Sequence, residues 1–283
     1  MIGVSPAYFL SLFSPQFTPD EIADSLEGIR KTGFRTVQLE TFLPEQVELW
    51  DKAACARIKT NVQEADLEVS QFVAHHLMHS FRTVETLRSN ELTSEFRRVL
   101  RIVEEVHPEG IITIPQPPFE LPQDRKWPVY SALWALYLDT LDKLRNLAAE
   151  AGFTLAVEVL PGSLLGNSDG FLRMTETLGA PYIGLNLDTG HAWACKEKLE
   201  LIPLKTAHYM CGTHLSDNRG NENLSLPPGA GTISWDAFFH ACRMAGYRGP
   251  FDIEIRCAPE EVDAQYSAAY RFLSQYSLQQ LEV

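Results

Sequence analysis

The sequence predicts a single (β/α)8 barrel, one domain over residues 1–283, and three observations carry that expectation. Eight short apolar runs recur along the chain, with starts roughly 27 to 43 residues apart, the size of a βα unit. Amphipathic stretches with helix start and stop signals lie between them. The rival, an open doubly wound sheet, usually shows a glycine-rich phosphate loop after its first strand. Here Ser5-Pro6-Ala7-Tyr8-Phe9 follows, and neither G-x-G-x-x-G nor a Walker sequence occurs.

The predicted strands are Ile2–Ser5, Thr36–Leu39, Leu67–Ala74, Gly110–Ile114, Phe153–Val159, Tyr182–Leu187, Tyr209–His214 and Phe251–Ile255. After the first, Thr18-Pro19-Asp20-Glu21 offers an N-cap, a proline at the first helical position and a capping-box Glu. Ile22, Leu26 and Ile29 follow at helical spacing, and Gly33 is a C-terminal stop. Leu133, Tyr137, Leu141, Leu144 and Ala148 repeat the pattern and end near Gly152. Ser168 to Gly179 and Ser234 to Gly246 are similar, and Pro259 to Leu281 reads as a closing helix.

Composition narrows the class. A chain of 283 residues with 45% hydrophobic and 22% charged residues is ordinary for a soluble globular protein. It is long enough to bury a large core without disulfides or structural metal. The net charge of −13 disfavours nucleic acid as a partner, because phosphates want a basic face. No run of eighteen apolar residues argues for a membrane span, and Met1 to Pro6 lacks the basic start of a secretory signal. Cys55, Cys195, Cys211, Cys242 and Cys257 are odd in number and contain no C-x-x-C pair, so free thiols in a reducing cytoplasm are expected.

In a parallel barrel, chemistry sits at the C-terminal ends of strands. Four consecutive strand ends each deliver a candidate metal ligand: Glu158, Asp188, His214 and Glu254. Taken singly, each has a plain structural role, as a salt-bridged glutamate, a turn-forming aspartate or a buried histidine. Together, three carboxylates at one barrel mouth repel one another unless a cation neutralises them. Three oxygen ligands and one imidazole suit Mn²⁺ or Mg²⁺, with Co²⁺ or Zn²⁺ also compatible.

The series Glu158, Asp188-Thr189-Gly190-His191, His214-Leu215-Ser216-Asp217, Gly229-Ala230-Gly231 before Ser234-Trp235, and Glu254 resembles the xylose isomerase-like TIM barrels. That superfamily includes sugar epimerases and isomerases, inosose dehydratases and the endonuclease IV group. The resemblance is sharpest from Phe153 to Arg256, with weaker echoes at Gln38-Leu39-Glu40 and His75-His76. It implies one divalent ion held by Glu158, Asp188, His214 and Glu254, with Glu158 and Glu254 also moving protons from opposite faces of the substrate. The ion would stabilise the enediolate formed when a proton leaves the carbon next to a carbonyl. The resemblance gives His191 and Arg219 substrate contacts.

Two positions depart from the ketose 3-epimerase pattern. Leu164 stands where those enzymes have a second Glu, and the His214-to-Arg219 spacing is one residue shorter. A dehydratase of the inosose type, which starts with a similar proton abstraction, therefore stays open, as does a catalytically silent sugar-binding descendant. Endonuclease IV-like chemistry needs further histidines, which Asn218 to Ser234 and Ile114-Pro115-Gln116 lack. The expectation is thus a cytoplasmic, metal-dependent sugar isomerase or epimerase with a small sugar or polyol as its partner, and a homo-oligomer is compatible with it.

Smaller features are two-sided. Glu40 is either a contact for a substrate hydroxyl or half of a salt bridge. One of His75, His76 and His79 is as apt to touch substrate as to be a plain loop residue. Leu226 to Gly231 is either a cover for the site or a turn-rich connection, and Trp193 and Phe9 are either walls beside a sugar or core. Arg82, Arg219 and Arg256 are the candidate cations near the mouth.

Overall fold

A computed structural model describes residues 1–107, 110–179 and 181–276. Eight parallel strands close in sequence order, each hydrogen-bonded to the next and the eighth to the first. They are β1 (Ile2–Val4), β2 (Thr36–Glu40), β3 (Glu68–Val73), β4 (Ile111–Gln116), β5 (Thr154–Val159), β6 (Ile183–Asp188), β7 (Met210–Leu215) and β8 (Phe251–Ile253). Around and between them run α1 (Ala7–Phe13), α2 (Pro19–Thr32), α3 (Lys52–Glu64), α4 (Val84–Leu87), α5 (Glu91–Val106) and α6 (Tyr130–Glu150). The remainder are α7 (Ser168–Leu178), α8 (Thr189–Ala194), α9 (Leu201–Thr206), α10 (Trp235–Met244) and α11 (Val262–Ser274). The single (β/α)8 barrel is thereby established.

The helix signals work as their chemistry requires. The Thr18 hydroxyl accepts from the Glu21 backbone N–H, and the Glu21 carboxylate accepts from the Thr18 N–H at 2.8 Å, closing the capping box on α2. Such a cap is worth about 1 kcal/mol. Ile22, Leu26 and Ile29 are fully buried on one face. Gly33 ends α2 at φ 114°, where a side chain would be strained and would strike the Tyr270 ring. The closing helix is shorter than expected: a 3-10 turn, Pro259–Glu261, leads into α11, and Leu281 lies outside the described residues.

Alternation divides the barrel into two cores. Outward positions such as Val37, Leu39, Phe72, Ile112, Leu155, Val157, Leu185 and Ile253 pack under the helices. Inward positions are strongly polar: Thr36, Gln38, Gln71, Thr113, Asn186 and Asp252 are buried to within 1%. Phe9 belongs to the apolar packing, against Tyr8 and Phe17. The five cysteines are free. Among the described residues, no helix is long and apolar enough to cross a membrane.

Candidate active site

The barrel delivers the four expected ligands to one point. Asp188 at the end of β6 lies directly across the ladder from His214 on β7. Glu158 sits on β5, inward like Asp188. Glu254 follows the last residue of β8, its N–H donating to the Leu215 carbonyl at 3.0 Å, which extends the ladder by one step. One ligand atom from each of Glu158, Asp188, His214 and Glu254 lies within 4.8 Å of the others. His214 Nδ1 is 2.8 Å from Glu254 Oε2 and 3.3 Å from Glu158 Oε2.

Whether these residues fit a cation can be tested on their hydrogen bonds. Asp188 Oδ2, His214 Nδ1 and Glu254 Oε2 are buried and lack a hydrogen-bond partner. Buried polar atoms left unpaired are costly. Three converging on one point with a fourth carboxylate nearby fit a divalent ion, whose ligand bonds run about 2.0–2.6 Å. The other Asp188 oxygen is committed: Oδ1 accepts from the His191 backbone N–H at 2.8 Å and caps α8. That cap orients Oδ2 toward the site.

The electrostatics agree. Burial pushes the Asp188 carboxyl up to about 6, and the Glu254 charge adds to this. Burial would lower His214, but the carboxylates of Glu254 and Glu158 outweigh it and hold the imidazole well above its ordinary range. Burial works to raise Glu254, yet His214 beside it brings that carboxyl below its ordinary value. His191 is raised against the effect of burial by Asp188, Glu158 and Glu254. Asp188, His191 and His214 are thus raised in a cluster with excess negative charge, which a cation would offset.

A cavity of about 260 Å³ opens over these groups. Glu40, His75, His191 and Arg256 line it beside Glu158, His214 and Glu254, with Pro6, Ala7 and Leu10 from the start of α1. Glu40 is 3% exposed, and its Oε2 has no hydrogen-bond partner. Burial first, then the Glu254 and Glu158 charges, raise its carboxyl well above the ordinary range. The alternative of a Glu40 salt bridge finds no ion pair among the described residues. His75 stacks on Phe42 with ring centroids 4.1 Å apart and forms a wall. His191 Nε2 is 3.5 Å from Asp188 Oδ2 and 3.6 Å from Glu158 Oε1.

A (β/α)8 barrel alone serves many chemistries, so the family rests on the sequence match. A family profile described as "Xylose isomerase-like TIM barrel" matches residues 26–276. The chain belongs to the xylose isomerase-like TIM barrel family. Within this family it is similar to an L-ribulose-5-phosphate 3-epimerase, UlaE, of Escherichia coli, 24% identical over 119 residues. That match spans 42% of this chain and 42% of the relative, so it covers under half the length of the curated relatives it matches. The fold is shared with the E. coli 3-keto-D-glucoside 4-epimerase YcjR: TM-score 0.76, 19% identity, 97% of this chain and 98% of the other. An L-ribulose 3-epimerase superimposes with TM-score 0.74 and 18% identity, over 99% and 95% of the two chains. The IOLI protein, solved with a binding zinc atom, does so with TM-score 0.74 and 16% identity, over 98% and 96%.

Other expected residues of this xylose isomerase-like barrel fall elsewhere. Arg219 is exposed on the loop after β7 and is not among the cavity-lining residues; Arg256 is. Arg82 pairs with Glu120 at 3.5 Å. His76 is buried against Thr41 and His79 contacts the His76 carbonyl, both outside the lining. Trp193 donates from Nε1 to the Thr232 hydroxyl at 3.0 Å and also lies outside it. The Leu226 to Gly231 segment is a pinned connection, because the Asp217 carboxylate accepts from the Gly229 and Ile233 N–H groups and from Trp235 Nε1. Leu164, the departure from the epimerase pattern, packs against the hydrophobic core. The sequence reading gives neither Gln38, noted only in the Gln38-Leu39-Glu40 echo, nor Asp252 a role of its own. Each stands two residues before a noted glutamate, Glu40 or Glu254, on the same inward face.

Proposed function

We propose that this chain is a divalent-metal-dependent isomerase or epimerase of a small sugar or related polyol. The observation that carries the reading is the buried convergence of Glu158, Asp188, His214 and Glu254, three of which also line a cavity of about 260 Å³. That volume lies just below the range of drug-sized ligand sites and suits a monosaccharide rather than a polymer. The activities for which UlaE, YcjR and the L-ribulose 3-epimerase are named concern sugars and support this class.

A bound divalent ion would supply electrostatic stabilisation for negative charge developing on substrate oxygens. Glu158 enters the site from β5 and Glu254 from just past the end of β8, and in this reading they serve two faces of one carbon. One removes the proton next to the carbonyl and the other returns it. His191, held by Asp188 and Glu158, donates to a substrate oxygen. Glu40, whose carboxyl burial and then the Glu254 and Glu158 charges raise well above its ordinary range, contacts a hydroxyl. His75 on Phe42 supplies a flat wall, and Arg256 takes the place beside the substrate that the family resemblance gives to Arg219. Mn²⁺ or Mg²⁺ suits the oxygen-rich ligand set best, with Co²⁺ or Zn²⁺ accommodated.

One feature favours a second reading. Glu40 is a buried carboxyl lining the cavity with its value raised well above the ordinary range, which equips it to protonate a departing hydroxyl, the step that makes a dehydratase. The product distinguishes the two: an isomer keeps the substrate's mass, and a dehydratase product has lost water. The test of the proton-transfer assignment is Glu254→Gln in solvent deuterium. The variant should bind metal more weakly and, at saturating metal, lose exchange at the substrate carbon. Exchange that persists in the metal-loaded variant overturns the role of Glu254.

A further inference from the structure

We infer that Gln38 and Asp252 are positioning residues that hold the His214 ring so that Nδ1 is its metal-facing atom. The inference rests on the metal-site reading proposed above. It begins at Asp252, which is fully buried inside the barrel. Its Oδ1 accepts from the Thr36 hydroxyl at 2.6 Å, and its Oδ2 from the Ser70 hydroxyl at 2.7 Å and Gln38 Nε2 at 2.8 Å. A carboxylate in this setting only accepts, so the Gln38 amide nitrogen must face it. Turning the amide over would set oxygen against oxygen.

The Gln38 carbonyl then faces the other way, and its Oε1 lies 2.7 Å from His214 Nε2. An amide oxygen only accepts, so Nε2 carries a hydrogen. In a neutral imidazole the lone pair is then on Nδ1, the atom aimed at Glu254 and Glu158. Because the amide is neutral, the chain from Asp252 fixes the ring without placing a further full charge against it. Metal-bound histidines generally depend on such an outer partner.

The barrel is shaped around this chain. The β2–β3 register pairs Val37 with Val69 and then Gln38 with Gln71, which leaves Ser70 as the extra residue of a bulge. Bulges re-aim side chains, and Ser70 is one of the donors to Asp252. A side chain at Gly3 on β1 would collide with both Thr36 Oγ1 and Asp252 Oδ1. Four strands thus contribute to the seat of one imidazole.

The test measures Co²⁺ binding by calorimetry and absorption, and the His214 ring nitrogens by ¹⁵N NMR of Zn²⁺-loaded and metal-free protein. Gln38→Met keeps the length and removes both hydrogen bonds; it should weaken Co²⁺ binding about 10–100-fold and abolish the protected Nε2–H signal. Ser70→Ala removes only one donor and should fall between the two proteins. The double variant Gln38→Glu with Asp252→Asn reverses the inner hydrogen bond at unchanged charge and should recover most of the affinity. A folded Gln38→Met protein with wild-type Co²⁺ affinity, or zinc on His214 Nε2, overturns the inference. If the wild type binds no divalent ion, the proposed function falls. The positioning role then also falls unless metal-free wild type shows the protected Nε2–H and Gln38→Met lacks it.

Discussion

His214 Nδ1 and Glu254 Oε2, both buried, stand 2.8 Å apart in the barrel mouth. Such a contact between a ring nitrogen and a carboxylate calls for a shared proton or a shared cation. The choice between the two sets the pH behaviour of the site. Asp188 rises from 3.8 to about 6 on burial, and His214 is held well above 6.5 by Glu254 and Glu158. Both folded values exceed the unfolded ones. Their contributions are therefore fully present below about 3.8 and 6.5 and are lost as pH rises through the folded values. A divalent ion replaces those protons. Metal-free protein should accordingly gain little from Mn²⁺ near pH 5 and much more near pH 8. At about a hundredfold excess over Kd the gain is roughly 2.7 kcal/mol, or about 5–10 °C in Tm. Thermal melts with and without Mn²⁺ measure it, and a gain that shrinks with rising pH contradicts the ligand assignment.

Asp188 has two separable tasks. Oδ1 caps α8 through the His191 N–H, and Oδ2 faces the other ligands. Asp188→Asn can keep the cap while losing the ligand charge, so it should leave Tm of metal-free protein at or above wild type and lower metal affinity at least tenfold. Asp188→Ala loses both and should cost about 1 kcal/mol more in stability. Equal unfolding midpoints for the two metal-free variants would show that the cap does not matter.

Asp217 organises the loop after β7. Fully buried, it accepts from Asn218 N, Gly229 N, Ile233 N and Trp235 Nε1 at 2.8 to 3.2 Å. Asp217→Ala strands these donors and should cost roughly 3–5 kcal/mol. The denaturant midpoint should fall, and limited proteolysis should begin between 218 and 231. A variant with a wild-type midpoint and cleavage pattern would remove Asp217 as the anchor.

That loop also shows where the sequence stops being informative. The strands were legible because each is an apolar run between turn formers, and the convergence of Glu158, Asp188, His214 and Glu254 because strand ends define the mouth. Errors cluster where one backbone angle or one distant partner decides. Tyr182 was expected to open β6, but its φ of 61° puts it in the preceding turn. β4 was expected to stop at Ile114; Pro115 stays in the ladder opposite Glu158, and the strand runs to Gln116. Arg219 was placed beside the substrate by the family resemblance, yet its position follows from how Asp217 and Asn218 fix the loop. Gln38 and Asp252 were invisible as partners because they lie 214 residues apart in sequence. Only barrel closure brings β8 beside β1 and within reach of β2.

Two histidines that take no part in the mechanism should dominate the acid limb of stability. Burial lowers both His76 and His107 to about 4. His76 is 5% exposed and keeps its contact with Thr41, while His107 is fully buried beside Val62, Leu67, Val69 and Val106. Here the folded values lie below the unfolded 6.5, so the unfolded chain binds more protons between about 4 and 6.5. Stability from these groups is full above 6.5 and declines as pH falls through about 4. The ceiling is roughly 3 kcal/mol for each. This slope opposes that of Asp188 and His214, so the two pairs must be separated by mutation. His107→Leu substitutes an apolar side chain where burial is the sole cause of the shift, and it should flatten the loss between about pH 6.5 and 4. Urea titrations across that range measure the slope. An unchanged slope, or a His107 ring that titrates near 6.5 by NMR, would remove it from the acid response.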